Sequence, residues 1–384
     1  MSIFVYRKVP LGGNLLTDTL PTAQFRRSRF RIVFFFFFLL FVVLCLVLVR
    51  SSPQVTIYSA LTSHQLKGYV EFFKDTSFEI QRKVSADFSR RAWFNTSQRY
   101  TYDYVETIRP IGSCENLRFL FVVASAVENI NQREAVRSTW ASEVRTISGR
   151  GKTVFLLGSG KNSSFQEKIK LESRKYGDIL QYAFDDTYRN ATIKSIMMLR
   201  WAANCRPTYL VKADDDMMIN VLQLRKNIDT LGSMGIPFAA GLGHFEKGPI
   251  RDKSSKWYVS KEEYPDDVFP NYLGGSLYVI TGNVIGQMFK EVFRTALISM
   301  EDVFVTGFLA TKLSLPRIGL AGISTSEQVD LCDFHDYIGS HHSTPAKMRS
   351  FANILRFTQR NCRNVLFGLF HACRCIPYIK VISM

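Results

Sequence analysis

The chain has 384 residues, 46% apolar and 21% charged, a globular composition long enough for one large domain or two ordinary ones, which excludes disorder as its main state. Its formal charge is +16, yet residues 1–50 hold seven Lys/Arg against one acid, so about a third of the excess sits on an N-terminal arm. With no zinc-finger spacing, RNP-like run or basic zipper, the basicity reads as positional and not as a nucleic-acid surface.

Residues 32–49 are eighteen uninterrupted apolar residues, with five consecutive phenylalanines at 34–38. At ~1.5 Å per residue a helix there spans about 27 Å, close to a thin bilayer of the endoplasmic-reticulum type. Arg26, Arg27, Arg29 and Arg31 crowd its start and only Arg50 follows directly, so the positive-inside rule puts residues 1–31 in the cytosol. Val47-Leu48-Val49-Arg50 offers no small-x-small cleavage site, and the segment reads as an uncleaved signal anchor. Residues 50–112 show no sustained period and read as a luminal stem. With that topology, Asn95-Thr96-Ser97, Asn162-Ser163-Ser164 and Asn190-Ala191-Thr192 become N-glycosylation acceptors. Six of the seven cysteines lie beyond the anchor, an even number that suits an oxidising compartment and leaves fifteen pairings open.

A near-continuous apolar run at 117–123 predicts the first strand, of the kind buried on both faces of a parallel sheet. A helix follows over 133–140, with Val136 and Trp140 on one face and Arg133 and Arg137 on another. Further strands are predicted at 153–157 and 178–182, with a polar helix over 165–176 between them. A helix over 192–204 stops near Pro207, and a short strand at 209–211 runs into Asp214-Asp215-Asp216. Alternation of this kind implies an α/β fold, a mainly parallel sheet with helices on both faces and a crevice at the carboxyl ends of its strands. The three aspartates sit at such an end. Adjacent carboxylates there either face open water, cap the helix predicted over 220–231, or hold a hard divalent cation.

The neighbouring blocks carry a resemblance. Arg133-Glu134-Ala135-Val136-Arg137-Ser138-Thr139-Trp140, Phe155-Leu156-Leu157-Gly158, Tyr176-Gly177-Asp178-Ile179-Leu180, and Asp186-Thr187-Tyr188-x-Asn190-x-Thr192-x-Lys194 come in this order. Then follow Trp201-x-x-x-Cys205, Val211-Lys212-Ala213-Asp214-Asp215-Asp216, Lys256-Trp257-Tyr258-Val259-Ser260, Tyr272-x-x-Gly275 and Glu301-Asp302-Val303. Together they resemble the β-1,3-galactosyltransferase family, glycosyltransferase family 31, over roughly residues 114–348.

The resemblance implies a nucleotide-sugar-binding GT-A fold over 113–348 and an inverting transfer of galactose from UDP-galactose, in β-1,3 linkage, to a glycan on protein or lipid. It implies Mn²⁺ or Mg²⁺ as cofactor, held by Asp216 and by His341 of the closing segment that runs from Cys332 to Pro345 and Met348; His342 is the alternative to His341, and two solvated loop histidines the plain reading. Asp214 is expected toward the uridine ribose, with Asp215 beside it on the donor. Arg133, Arg137 and Lys194 are expected on the uridine or diphosphate. Asp302 matches the family's base, and its apolar flank of Val303, Phe304 and Val305 should raise its proton affinity. Trp257, Tyr258, Tyr272, Gly274, Gly275 and Glu301 are candidates for the acceptor side, whereas Trp140 and Trp201 read as core anchors. Met217-Met218-Ile219-Asn220 departs from the family's wording and bears on donor or acceptor choice. Three other readings remain: UDP-N-acetylglucosamine or UDP-N-acetylgalactosamine as donor, a luminal glycan-binding protein without turnover, and a metal-dependent hydrolase. The expected setting is the Golgi membrane, single-pass type II. Residues 349–384 form a tail with six Lys/Arg, no acids and three cysteines, without an assigned role.

Overall fold

The computed structural model describes residues 101–147, 150–160, 163–326, 329–330 and 333–361. The expected anchor, the stem before residue 101, Asn95, Asn162, Cys332 and residues 362–384 lie outside the described residues. Among the described residues no helix is long and apolar enough to cross a membrane.

In chain order the strands are β1 (Glu106–Ile108), β2 (Phe119–Ala124), β3 (Gly151–Ser159), β4 (Ile179–Asp185), β5 (Tyr209–Asp214) and β6 (Met218–Ile219). They continue with β7 (Ala239–His244), β8 (Tyr272–Thr281), β9 (Arg317–Gly319), β10 (Ile323–Ser324) and β11 (Gly339–Ser340). The main sheet has eight strands in the order β1-β4-β3-β2-β5-β8-β7-β9. Its centre, β4-β3-β2-β5, is parallel as the four buried runs predict. The strand β8, which pairs antiparallel with both β5 and β7, breaks that pattern. Its register of Ala213 against Leu277 brings the start of β8, with Gly274 and Gly275, to the same edge as the end of β5.

The helices α1 (Ile130–Ser138), α3 (Ser163–Tyr176), α4 (Ala191–Cys205) and α5 (Val221–Gly232) fall where the sequence places them, within a few residues, and α2 (Ala141–Ile147) is an additional helix between α1 and β3. Both faces of the sheet are covered. Along β2, Leu120 and Val122 join the core cluster that holds Ile196, Met197 and Leu199 of α4, while Phe121 meets Trp140 on the opposite face, ring centroids 5.7 Å apart. The helix α4 ends at Arg206, which adopts a left-handed φ of 48° ahead of Pro207. Cys205, its last residue, is disulfide-bonded to Cys114, which resolves one of the open pairings. Further on come α6 (Ile285–Val292), a π-helical segment (Val303–Leu309), α7 (Ala310–Lys312) and α8 (Pro345–Asn361). The chain after Asp302 is thus helical, with a wider first part. There Thr306 donates its hydroxyl to the Asp302 carbonyl, 2.6 Å, and accepts from the Leu273 amide, 2.8 Å, tying the helix start to β8.

Candidate active site

The crevice lies at the edge where β2, β3, β4 and β5 end and β8 begins. Its first half is built on the aspartate run. β5 stops at Asp214, and a tight turn closes with the Met217 amide on the Asp214 carbonyl, 3.1 Å. Trp140 pins that turn by donating from Nε1 to the Met217 carbonyl, 2.9 Å, so its role is structural as expected. Met217 and Met218 are buried, so the departure from family wording there fills core. Asn220 caps α5 by accepting from the Gln223 amide, 3.2 Å.

The pairing of β6 with β11, Met218 against Ser340, delivers the histidine pair to the aspartates. The Ser343 amide then donates to the Asp216 carbonyl, 2.8 Å. His341 Nε2 lies 3.1 Å from Asp216 Oδ1 and 3.6 Å from Asp214 Oδ2, and His342 Nδ1 lies 3.6 Å from Asp216 Oδ2. His342 takes a left-handed φ of 53° to do so. One ligand atom from each of Asp216, His341 and His342 lies within 4.8 Å of the others. Imidazole with carboxylate is a donor set that fits a divalent metal ion, so both histidines together, and not one in place of the other, are placed to hold one. Burial raises the proton affinity of Asp216, but the hydrogen bond and charge of His341 and the charge of His342 outweigh it and hold the carboxyl below its usual range.

The cations expected on the donor are placed otherwise. Arg133 is 0% exposed, with its fork on Glu172 at 2.8 and 2.7 Å and Nη1 on the Ser125 hydroxyl at 3.0 Å. Arg137 is paired with Glu172, 2.7 Å, and Asp178, 2.8 Å, and lies over the rings of Phe155 and Tyr176. The four-residue spacing did align the two arginines on one face, but that face is turned toward α3 and the carboxylates beside it. Lys194 is buried, ion-paired to Asp186 at 2.6 Å, and donates to the Ser125 carbonyl at 2.7 Å. Asp215 points backward too: it accepts from Ser125, 2.6 Å, and Asn129, 2.9 Å. Burial foremost pushes its carboxyl up, against those hydrogen bonds. Arg133, Lys194 and Asp215 therefore meet at Ser125 and brace the end of β2 against the aspartate turn, while Arg137 ties α1 to α3 and the start of β4.

The second half of the crevice is Glu301-Asp302. Asp302 accepts from the Val303 amide, 2.9 Å, and from the Gly275 amide, 3.2 Å, so it caps the helix and faces the start of β8 at once. Burial first, then the adjacent Glu301 charge, push its carboxyl up to about 7, as its apolar flank predicts. Glu301 accepts from Ser195, 2.8 Å, and Tyr278, 3.3 Å. Between the halves stands Lys212. Its ammonium is 2.6 Å from Asp214 Oδ1 and 3.0 Å from Glu301 Oε1, and it also donates to the Gly275 carbonyl. Lys212 is quoted in the aspartate block without a role. Its spacing carried the signal, since residues two apart on a strand share a face.

Around this centre Trp257 is 44% exposed and Tyr188 is 53% exposed, and both rings border the Lys256 ammonium, at 4.5 and 6.0 Å. The Tyr188 phenol is pushed up to about 12, by burial first and then by the charges of Asp302, Asp214 and Glu301. Tyr188 had no assigned role, although it sits in a quoted block. Tyr258 is half-buried beside Trp257. Tyr272 stacks on His244, centroids 4.9 Å apart, and a side chain at Gly274 would meet His244 at 2.9 Å. Asn190 donates its side-chain amide to the Asp185 carbonyl, 2.8 Å, and Thr192 of the same acceptor tripeptide is buried.

Comparison with known proteins gives the same picture. A family model described as galactosyltransferase matches residues 131–321. The chain is 33% identical over 244 residues to Beta-1,3-galactosyltransferase 5 of Gorilla gorilla gorilla, covering 60% of this chain and 79% of that protein. It is 34% identical over 232 residues to human Lactosylceramide 1,3-N-acetyl-beta-D-glucosaminyltransferase, 58% of this chain and 61% of the other. It is 34% identical over 201 residues to Beta-1,3-galactosyltransferase brn of Drosophila melanogaster, 52% and 61% respectively. The chain therefore belongs to the galactosyltransferase family, and it is a UDP-sugar-dependent β-1,3-glycosyltransferase.

Proposed function

We propose that this chain is an inverting enzyme of GT-A type that moves galactose from UDP-galactose to a hydroxyl of a glycan on protein or lipid, anchored by residues 32–49 in the Golgi membrane with its catalytic part in the lumen. The observation that carries the reaction class is the pairing, across one crevice, of the Asp216-His341-His342 cluster with the carboxyl of Asp302. The Cys114–Cys205 bond supports an oxidising compartment.

Asp216, His341 and His342 would hold Mn²⁺ or Mg²⁺, which supplies positive charge to the diphosphate of the leaving UDP. Asp214, at the tip of β5, is on the donor side. Asp302 takes the proton of the acceptor hydroxyl, and that oxygen forms its bond to the anomeric carbon. The bond from that carbon to the UDP oxygen breaks on the opposite face, and UDP leaves with the electron pair. The exposed rings of Trp257 and Tyr188 offer apolar faces to the acceptor sugar. A second donor is favoured by one observation, the 34% identity to an N-acetylglucosaminyltransferase, since donor choice turns on a few pocket contacts.

The test uses the full-length chain in mild detergent with Mn²⁺, a panel of UDP-sugars, and p-nitrophenyl glycosides of galactose, N-acetylglucosamine and N-acetylgalactosamine as acceptors. UDP release should be greatest with UDP-galactose, and linkage analysis should give a β-1,3 product. Asp302→Asn should abolish transfer and leave UDP binding within a few-fold, whereas Asp216→Asn should weaken both. Because the base must be ionised, kcat/KM should fall about tenfold per pH unit once the pH drops below about 7. Loss of UDP binding in the Asp302 variant would remove it from the role of base.

A further inference from the structure

The carboxylates of the two halves of the crevice meet on one cation. Lys212 is buried on β5, and its ammonium lies within 3.0 Å of Glu301 Oε1 and within 2.6 Å of Asp214 Oδ1. It also donates to the carbonyl of Gly275, the residue whose amide donates to Asp302. Glu301 is fixed from its other oxygen by Ser195 of α4 and Tyr278 of β8. Two carboxylates adjacent in sequence repel strongly in so dry a place, and a cation in contact with one of them offsets that repulsion. Lys212 is the cation in contact with Glu301 among the described residues.

We propose, on the transferase reading above, that Lys212 is a positioning residue for the transfer step: its ammonium, in contact with Glu301, faces the charge of that carboxylate and seats Gly275 on Asp302, and so fixes both the place and the charge surroundings of the base. Four elements face Asp302: Glu301 on its own segment, Lys212 and Asp214 of β5, Tyr272 and Tyr278 of β8, and Tyr188 from the turn after β4. Of these, Glu301 and Lys212 act in opposition. Burial opposes the ammonium, but Asp214 and Glu301 outweigh it and hold Lys212 well above its usual range, so its charge is constant while Asp302 titrates.

The full-length chain and its Lys212→Met, Glu301→Gln and doubly substituted variants are assayed for sugar transfer from pH 5 to 9 with Mn²⁺, the best UDP-sugar and the best glycoside of the panel, and for UDP binding by calorimetry. Lys212→Met leaves the Glu301 charge uncompensated; kcat at pH 7 should fall at least tenfold and the acid limb should move up by a unit or more. Glu301→Gln removes the repulsion and should move the limb down. The double variant should lie between the two, and UDP affinity should stay within about fivefold throughout. A uniform loss over the whole pH range with an unmoved limb, or a fully active Lys212→Met, overturns the proposal. Should Lys212→Met fail to fold, Glu301→Gln alone decides it, since an unmoved limb there is equally fatal. A wild-type chain that transfers no sugar would overturn the transferase reading and this proposal with it, while a working wild type with unmoved limbs overturns this proposal alone.

Discussion

At Gly275 the absence of a side chain has a chemical purpose. A Cβ there would lie 2.6 Å from Glu301 Oε1 and 3.5 Å from the Asp302 Cβ. The Glu301 carboxylate is poorly able to yield, because Lys212, Ser195 and Tyr278 hold it from three directions. The strain of Gly275→Ala therefore falls on the Gly275 amide and the Asp302 carboxyl that accepts from it. Displacing a reacting group by about 1 Å can lower a rate about 100-fold. Gly275→Ala should accordingly reduce kcat by roughly 10- to 100-fold, with UDP affinity changed less than about threefold, because the proposed metal ligands Asp216, His341 and His342 lie on other elements. Steady-state kinetics beside UDP calorimetry separates the two effects. An equal loss in both would mean that the whole crevice had collapsed.

Elements explain why the arginines of α1 matter with their guanidinium groups paired to carboxylates of the fold. Arg133 couples α1 to Glu172 of α3 and, through the Ser125 hydroxyl, to Asp215 of the aspartate turn. Removing one partner of a buried pair leaves the other charge uncompensated and costs about 3–5 kcal/mol. Arg137 remains on Glu172, so the lower end applies to Arg133→Met. For a domain of this size that corresponds to a fall of roughly 6–12 °C in thermal midpoint. UDP affinity of the folded protein at 20 °C should change less than about threefold; a tenfold loss would return Arg133 to the donor site. Sequence spacing placed both arginines on a common face and α1 beside β2, because helical period is local. It did not show that the face looked inward, because the acid that claims them, Glu172, is some forty residues away. For the same reason the parallel core was legible in its apolar runs and Asp302 in its block. The reversal of β8, the π-helical start after Asp302 and the placement of both histidines together on Asp216 all depend on contacts between distant segments.

In the molecule as a whole, the crevice depends on α4 lying where it does, since Lys194 and Ser195 of that helix hold the Ser125 carbonyl and Glu301. The helix is held at its far end by the Cys114–Cys205 bond, which joins the segment entering β2 to the last residue of α4. The two cysteines are 91 positions apart, and closing a loop of that length should stabilise the fold by about 4.5 kcal/mol in the chain-entropy account. The bond and the reactive centre sit at opposite ends of α4, at its last residue and within its first turn or so. Stability and chemistry should therefore separate. Cys205→Ala should lower the thermal midpoint by roughly 8–16 °C, and Cys114→Ala by the same amount, with no further loss when the two are combined. Transfer at 20 °C should stay within about threefold of the wild type in all three. Reductant should lower the midpoint of the wild type and leave the double variant unchanged. Unequal single variants, or a double variant well below either, would show that the cysteines act through packing and not through their bond.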